Sequence, residues 1–95
     1  KEIEGVISGH SGVREVAVFG IPDDVWGESV CAAIVKKQGA VVDEASIVRY
    51  CAARLSSYKK PRKVVFLEEL PKNAFGKVTK NVLREPYWRG REKQI

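Results

Sequence analysis

The sequence predicts a small α+β domain in which a three-stranded sheet is flanked by helices. Its 95 residues suffice for one modest hydrophobic core, so we expect residues 1–95 to form a single domain. Three short apolar runs have the length and the β-branched content of strands. Three other segments show helical spacing of apolar residues or a helix-capping residue. Their order is helix, strand, strand, helix, strand, helix, which is typical of the α+β class.

The first half of the chain contains one predicted helix and two predicted strands. Apolar residues at helical spacing predict a helix over residues 1–9, and Gly9 is expected to end it. The apolar run within 13–19 predicts a buried strand. We expect residues 20–24 to break this strand, because they include Pro22 and proline cannot donate to a sheet ladder. Residues 30–36 predict the second strand.

The second half contains a helix, a strand and a final helix. Asp43 is expected to cap a helix whose apolar positions recur at helical spacing: Val48, Cys51, Ala52 and Leu55. Residues 64–67 predict the third strand. The last helix is expected to begin near Lys80 and to end before Pro86. Beyond it we expect a polar tail in which Tyr87 and Trp88 are packing aromatics.

The cysteine and histidine content excludes several classes of site. Cys31 and Cys51 lack the spacing of a metal site or a disulfide scaffold, so we expect buried thiols, no metal ion and a reducing, cytoplasmic location. His10 is the only histidine, and nothing else in the sequence indicates a catalytic triad. No apolar run reaches the length of a membrane span, and no signal-peptide pattern is present.

The positive charge of the chain is concentrated in its second part. Residues 1–58 carry six Lys and Arg against eight Asp and Glu, a net charge of −2. Residues 59–95 carry eleven against four, a net charge of +7. This asymmetry favours a partner that bears phosphates or other anions at that end. A solvated basic tail would have the same charge, and so would a nucleic-acid-binding module. Against the nucleic-acid module, the aromatic residues of 59–95 do not form the stacking platform that such modules use.

The segment between the third strand and the last helix presents a lysine on a turn. Gly76 closes the turn and is followed directly by Lys77. A Walker A phosphate loop is rejected, because Pro71 stands where its first glycine belongs and Val78 where Ser or Thr would hold magnesium. Taken alone, this local pattern also fits a solvated surface lysine.

Several motifs occur together in one order along the chain: Gly20-Ile21-Pro22-Asp23-Asp24-x-x-Gly27-Glu28, Tyr58-Lys59-Lys60-Pro61 and Pro71-Lys72-x-x-x-Gly76-Lys77-Val78-x-Lys80. The opening Glu2-Ile3-Glu4, the turn His10-x-x-Val13 and the strand from Val16 to Phe19 precede them in the same order. Together they resemble the C-terminal domains of adenylate-forming acyl-CoA synthetases, a superfamily that also includes firefly luciferase and the adenylation domains of peptide synthetases. The resemblance covers the chain from Lys1 to about Arg84. Two positions depart from the family pattern, namely Ser11, which replaces a frequent proline, and Phe75, which replaces a small or polar residue.

The resemblance implies a two-step ligase reaction. A carboxylic acid and ATP form an acyl-adenylate and pyrophosphate, and a thiol, usually that of CoA, then displaces AMP. The domain is expected to swing between one pose for each step. In the first pose Lys77 would reach the ATP phosphates and the attacking carboxylate, while Gly76 would allow close approach of the backbone. In the second pose Trp26, Gly27 and Lys60 are candidates for contacts with the CoA nucleotide.

The resemblance also implies a partner that lies outside this sequence. Because the chain starts as the inside of a helix would, we expect a hinge and an N-terminal adenylate-binding domain to precede Lys1. That domain would hold Mg²⁺ and the acid pocket, so these 95 residues alone are expected to be inactive. A fatty or aryl acid is the expected substrate. A peptide-synthetase-type adenylation domain that uses a carrier-protein thiol, and a free-standing basic module that binds nucleic acid, remain alternatives.

Overall fold

The computed structural model describes residues 2–25, 27–56 and 60–89. Along the chain it contains six regular elements: α1 (Glu2–Ser8), β1 (Val13–Asp23), β2 (Gly27–Lys36), α2 (Glu44–Ala52), β3 (Lys63–Phe66) and α3 (Lys80–Trp88). The order of elements and the α+β class predicted from the sequence are both confirmed.

The three strands form one mixed sheet in the order β1-β2-β3. β1 and β2 pair antiparallel, with Phe19 opposite Cys31, whereas β2 and β3 run parallel, with Ala32 opposite Val64. A parallel pair needs a crossover connection, and α2 supplies it between β2 and β3. β2 is the central strand, and all five residues from 31 to 35 are buried, as expected for a strand covered on both faces.

Each face of the sheet has its own hydrophobic cluster. On one face α1 and α2 pack over β1 and β2, through buried residues that include Ile7, Ile34 and Ile47. On the other face α3 and the segment before it pack over the sheet, through residues that include Phe19, Leu70 and Leu83. The domain is therefore a three-layer arrangement, and the predicted site segment belongs to the layer of α3.

Glutamates from the helices satisfy backbone N–H groups on both edges of the sheet. The N–H of Val18 in β1 donates to the Glu4 side chain of α1 at 2.7 Å. The N–H of Val64 in β3 donates to the Glu44 side chain of α2 at 3.2 Å. Unpaired edge groups invite pairing with other chains, and each carboxylate occupies one such group on its edge strand.

β1 is longer than the sequence predicts. It continues through Pro22, which lies opposite Glu28, and ends at Asp23, so the predicted break at residues 20–24 is wrong. The reason is that β1 is an edge strand, where a proline without an N–H does not remove a ladder bond from a central position. The same pairing extends β2 back to Gly27.

The cap of α2 is confirmed, but its buried face differs from the prediction. The Asp43 side chain accepts the N–H of Ser46 at 2.8 Å, and the Ser46 hydroxyl accepts the N–H of Asp43 at 3.2 Å, which completes a capping box. Ile47 and Cys51, four residues apart, are fully buried, whereas Ala52 is exposed. Ala52 follows Cys51 directly, so it is rotated by about 100° away from the core-facing stripe.

α3 does not end before Pro86, as predicted, but continues through it to Trp88. Contacts of its last turn explain the difference. The Trp88 indole N–H donates to the Gly20 carbonyl at 2.8 Å, and the Tyr87 ring lies 6.0 Å from that of Phe19. The expectation that Tyr87 and Trp88 are packing aromatics is therefore confirmed, although both belong to the helix and not to a tail.

Both cysteines are buried free thiols, as predicted. Burial raises the pKa of the Cys31 thiol to about 11 and also raises the pKa of Cys51. Within residues 2–25, 27–56 and 60–89 there is no group of three or more His, Cys, Asp or Glu side chains that could hold a metal ion. No helix in these same ranges is both long and apolar enough to cross a membrane.

Candidate functional site

The predicted site lies on a hairpin loop between β3 and α3. Buried Leu70 anchors the start of the loop in the cluster beneath α3. Lys72 and Val78 form an isolated antiparallel bridge, and the N–H of Thr79 donates to the Pro71 carbonyl at 3.0 Å. The two arms of the loop are thus paired, and residues 73–77 form its tip.

Asn73 holds the tip of the loop in a defined turn. Its carbonyl accepts the N–H of Gly76 at 3.0 Å, and its N–H donates to the Lys77 carbonyl at 2.9 Å. Its side-chain oxygen accepts the N–H groups of Phe75 at 2.9 Å and of Lys77 at 3.0 Å. Gly76 has φ +82°, as expected for the left-handed residue that closes a three-residue hairpin loop. The tip therefore places Lys77 directly after a fixed turn.

The three lysines of this loop are in different environments. The Lys72 ammonium lies 3.0 Å from a Glu15 carboxylate oxygen of β1. The Lys80 ammonium lies 2.6 Å from the Glu4 carboxylate of α1. Lys77 is exposed, and its ammonium has no hydrogen bond or ion pair with the residues that the structure describes. Of these three cations, Lys77 is the one available to an external anion.

The electrostatics of Glu4 reflect its position where α1, β1 and α3 meet. Burial raises the pKa of this carboxyl, but the hydrogen bonds from Lys80 and from the Val18 N–H together outweigh burial, so the pKa lies below its ordinary value. The carboxylate is therefore charged at neutral pH. It neutralises Lys80 at the start of α3.

The other predicted residues lie at the opposite end of β1. Gly27 has φ +81° and starts β2 opposite Asp23. The Arg62 guanidinium lies 3.9 Å from Asp23, and its backbone N–H donates to the Val30 carbonyl at 2.8 Å. Lys60 is half-buried and lies two residues before Arg62, so it belongs to the same end of the sheet as Gly27. Trp26 lies outside the described residues.

The predicted residues thus form two separate groups. Gly76 and Lys77 lie on the loop that Lys72 ties to Glu15, while Gly27 and Lys60 lie near Asp23. At roughly 3.3 Å per residue, the part of β1 from Glu15 to Asp23 spans about 26 Å. One anion bound at Lys77 therefore does not also contact Gly27.

Three residues that hold the loop or its neighbouring lysines in place were not predicted from the sequence. Asn73 had a local signal, because asparagine at the start of a turn bonds to the backbone two residues on. Glu4 and Glu15 had none, since each meets its lysine only in the folded structure, Glu15 across a separation of 57 residues.

Comparison with known proteins gives one consistent family. Residues 2–77 match the model of the AMP-binding enzyme C-terminal domain, a match that ends at Lys77. Long-chain-fatty-acid–CoA ligase FadD13 of Mycobacterium tuberculosis is 54% identical over 86 residues, which are 90% of this chain and 17% of that protein. A 2-succinylbenzoate–CoA ligase of Listeria monocytogenes is 46% identical over 84 residues, or 88% of this chain and 18% of that protein.

A solved structure has the same fold. ATP-bound MatB from Rhodopseudomonas palustris superposes with a TM-score of 0.89 at 44% identity, over 93% of this chain and 18% of that one. The chain thus spans less than a fifth of the length of the relatives it matches, 17% in the case of FadD13. The family model matches most of the length of this chain, and a structural neighbour has the same fold. The chain therefore belongs to the AMP-binding enzyme C-terminal domain family.

Proposed function

We propose that this chain is the catalytic-lysine domain of an acyl-CoA synthetase. The whole enzyme would join a carboxylic acid to ATP, release pyrophosphate and then transfer the acyl group from AMP to the thiol of CoA. One observation carries the proposal: Lys77 is an exposed ammonium without a partner among the described residues, held on a fixed hairpin between two lysines that are already paired.

Lys77 suits the adenylation step because two anions must approach each other there. The carboxylate of the acid attacks the α-phosphorus of ATP, and pyrophosphate leaves. A lysine carries a compact charge on a long, flexible stem, so it can contact both groups. At about 4 Å and an effective dielectric constant near 20, each contact contributes about 4 kcal/mol before desolvation. Gly76 adds no side chain beside Lys77, so the backbone can approach the partner domain closely.

The opposite end of β1 is our candidate for the thiol-transfer step. Gly27 begins β2 there, Lys60 precedes β3 at the same end of the sheet, and Trp26 directly precedes Gly27 in the sequence. The Lys60 ammonium would supply charge for a phosphate of the CoA nucleotide, and exposed Gly27 would leave the backbone open to its close approach. Because this group and Lys77 are separated by the length of β1, the two steps would require different orientations of the domain.

We expect the pocket for the acid substrate to lie in a part of the enzyme outside this sequence. The matched relatives are named as ligases of a long-chain fatty acid and of 2-succinylbenzoate, so very similar domains serve different acids. We propose a fatty or aryl acid and CoA. A carrier-protein thiol is the alternative, and it would be distinguished by transfer of the acyl group to a phosphopantetheinylated carrier and not to free CoA.

The decisive experiment separates the two half-reactions in the intact enzyme that contains this domain. We expect Lys77→Ala to lower ATP–pyrophosphate exchange by about 10²–10³-fold, because one preorganised cation is lost from the transition state. Thioester formation from supplied acyl-adenylate should be unchanged. The matched control is Lys37→Ala, which removes an exposed lysine outside the loop. Equal loss of both half-reactions, or full exchange activity, would refute the proposal.

A further inference from the structure

We propose that Glu4 and Glu15 are positioning residues for the adenylation step, which hold Lys80 and Lys72 so that only Lys77 of the loop reaches the phosphates. This inference depends on the function proposed for Lys77. It concerns two acidic residues that lie outside the hairpin and that contact no reacting group themselves.

The two ion pairs fix the hairpin at both of its ends. The Lys72 ammonium lies 3.0 Å from Glu15 at the start of the loop, and the Lys80 ammonium lies 2.6 Å from Glu4 where α3 begins. Lys77 lies between these two points in the sequence. The hairpin is therefore attached to β1 and to α1 by one carboxylate on each side.

Each carboxylate has a second contact besides its lysine, which for Glu15 is the Arg14 guanidinium at 3.9 Å. Glu4 also accepts the N–H of Val18, so it is bonded to β1 as well as to Lys80. The side chains of Glu4 and Glu15 are 25% and 26% exposed, which is much less than a freely solvated surface carboxylate. Together with Lys72 and Val78 they line one groove between α1, β1 and the loop. These pairs are thus ordered contacts between elements far apart in the sequence, unlike pairs of mobile surface side chains.

The pairing also decides which ammonium an incoming phosphate meets. Without the carboxylates, Lys72 and Lys80 would be two more unpaired cations within a few residues of Lys77. They would compete for the phosphate oxygens, and the loop would lose its polar contacts with β1 and α1 while Leu70 still anchored its start. The turn at Asn73 would persist, because its four hydrogen bonds involve only the loop itself. The expected defect is therefore misplacement of an intact hairpin.

The test uses Glu4→Gln and Glu15→Gln in the intact enzyme. We expect each to lower kcat of ATP–pyrophosphate exchange by about 10-fold, since small misplacements of a catalytic group are costly. The KM for ATP should not rise, because no cation is removed, and thioester formation from supplied acyl-adenylate should be unchanged. Glu85→Gln is the matched control: it breaks the 2.6 Å pair with Arg89 on α3, away from the loop, and should leave both half-reactions unchanged.

A charge exchange separates positioning from simple loss of stability. Glu15→Lys and Lys72→Glu should each lower the exchange activity, and the double variant should recover to within about threefold of the parent, as expected for a coupled pair. Unchanged exchange in both glutamine variants would overturn the inference. So would equal loss of both half-reactions, or a double variant no better than the single ones. The proposed function fails separately, if Lys77→Ala spares adenylation.

Discussion

Replacement of Gly76 by alanine tests whether the turn before Lys77 requires a residue that adopts a positive φ without strain. A Cβ built at Gly76 has no heavy atom within 4 Å, so alanine would meet no steric obstacle from neighbours. Its φ of +82°, however, lies in the left-handed region, which costs an L-residue about 1–2 kcal/mol. In a domain of this size, 1 kcal/mol corresponds to roughly 4–8 °C in Tm. We therefore expect Gly76→Ala to lower Tm by about 4–16 °C.

The measurement is thermal unfolding of the 95-residue chain by circular dichroism, with two comparison variants. Gly5→Ala places the same methyl group in equally open space, but within α1, and should raise the stability by about 0.5–1 kcal/mol. Gly76→Asn should cost less than alanine, because asparagine tolerates the left-handed region better. Equal Tm values for Gly76→Ala and the parent chain would refute the role assigned to this backbone conformation.

Three further predictions concern the core and the titrating groups. Ile47 is fully buried between α2 and the sheet, so Ile47→Ala should cost about 2–5 kcal/mol in urea unfolding, and a loss below about 1 kcal/mol would contradict its place in the core. The lowered pKa of Glu4 means that its contribution to stability is fully present above about pH 4.5 and is lost as the pH falls through the folded-state pKa. The stability of the parent should therefore fall more steeply than that of Lys80→Met as the pH is lowered below about 4.5, and parallel curves would contradict the pairing. With its pKa raised to about 11, the buried Cys31 thiol should resist iodoacetamide at neutral pH until the chain is unfolded in denaturant, and rapid labelling of the native chain, detected by mass spectrometry, would contradict its burial.

Local chemistry in the sequence was sufficient for several features of this protein. The order of the six elements follows from apolar periodicity and from the positions of Gly and Pro residues. The cap at Asp43 was predictable because a helix start needs an acceptor for its free N–H groups. The turn at Gly76 was predictable because glycine is the residue for which a positive φ carries no penalty. Lys77 became a candidate for catalysis only through the resemblance of the surrounding motifs to one family.

Other features depend on residues that are distant in the sequence. β1 passes through Pro22 because it lies at an edge of the sheet, and strand order is a property of the whole fold. α3 passes through Pro86 while Tyr87 and Trp88 pack against β1, a contact that no local pattern reveals. Short-range preferences decide where elements form. Long-range packing decides where β1 and α3 end.

In the candidate site, too, some features follow from local sequence and others from contacts between distant residues. The sequence by itself determined that a glycine presents Lys77 between a strand and a helix, because turn chemistry is encoded within a few neighbouring residues. Only the tertiary structure decided that Lys72 and Lys80 are paired while Lys77 has no partner among the residues that the structure describes, since Glu15 and Glu4 reach the other two lysines from β1 and α1. Ion pairs form between side chains that folding brings within a few ångströms, and sequence spacing does not specify that distance.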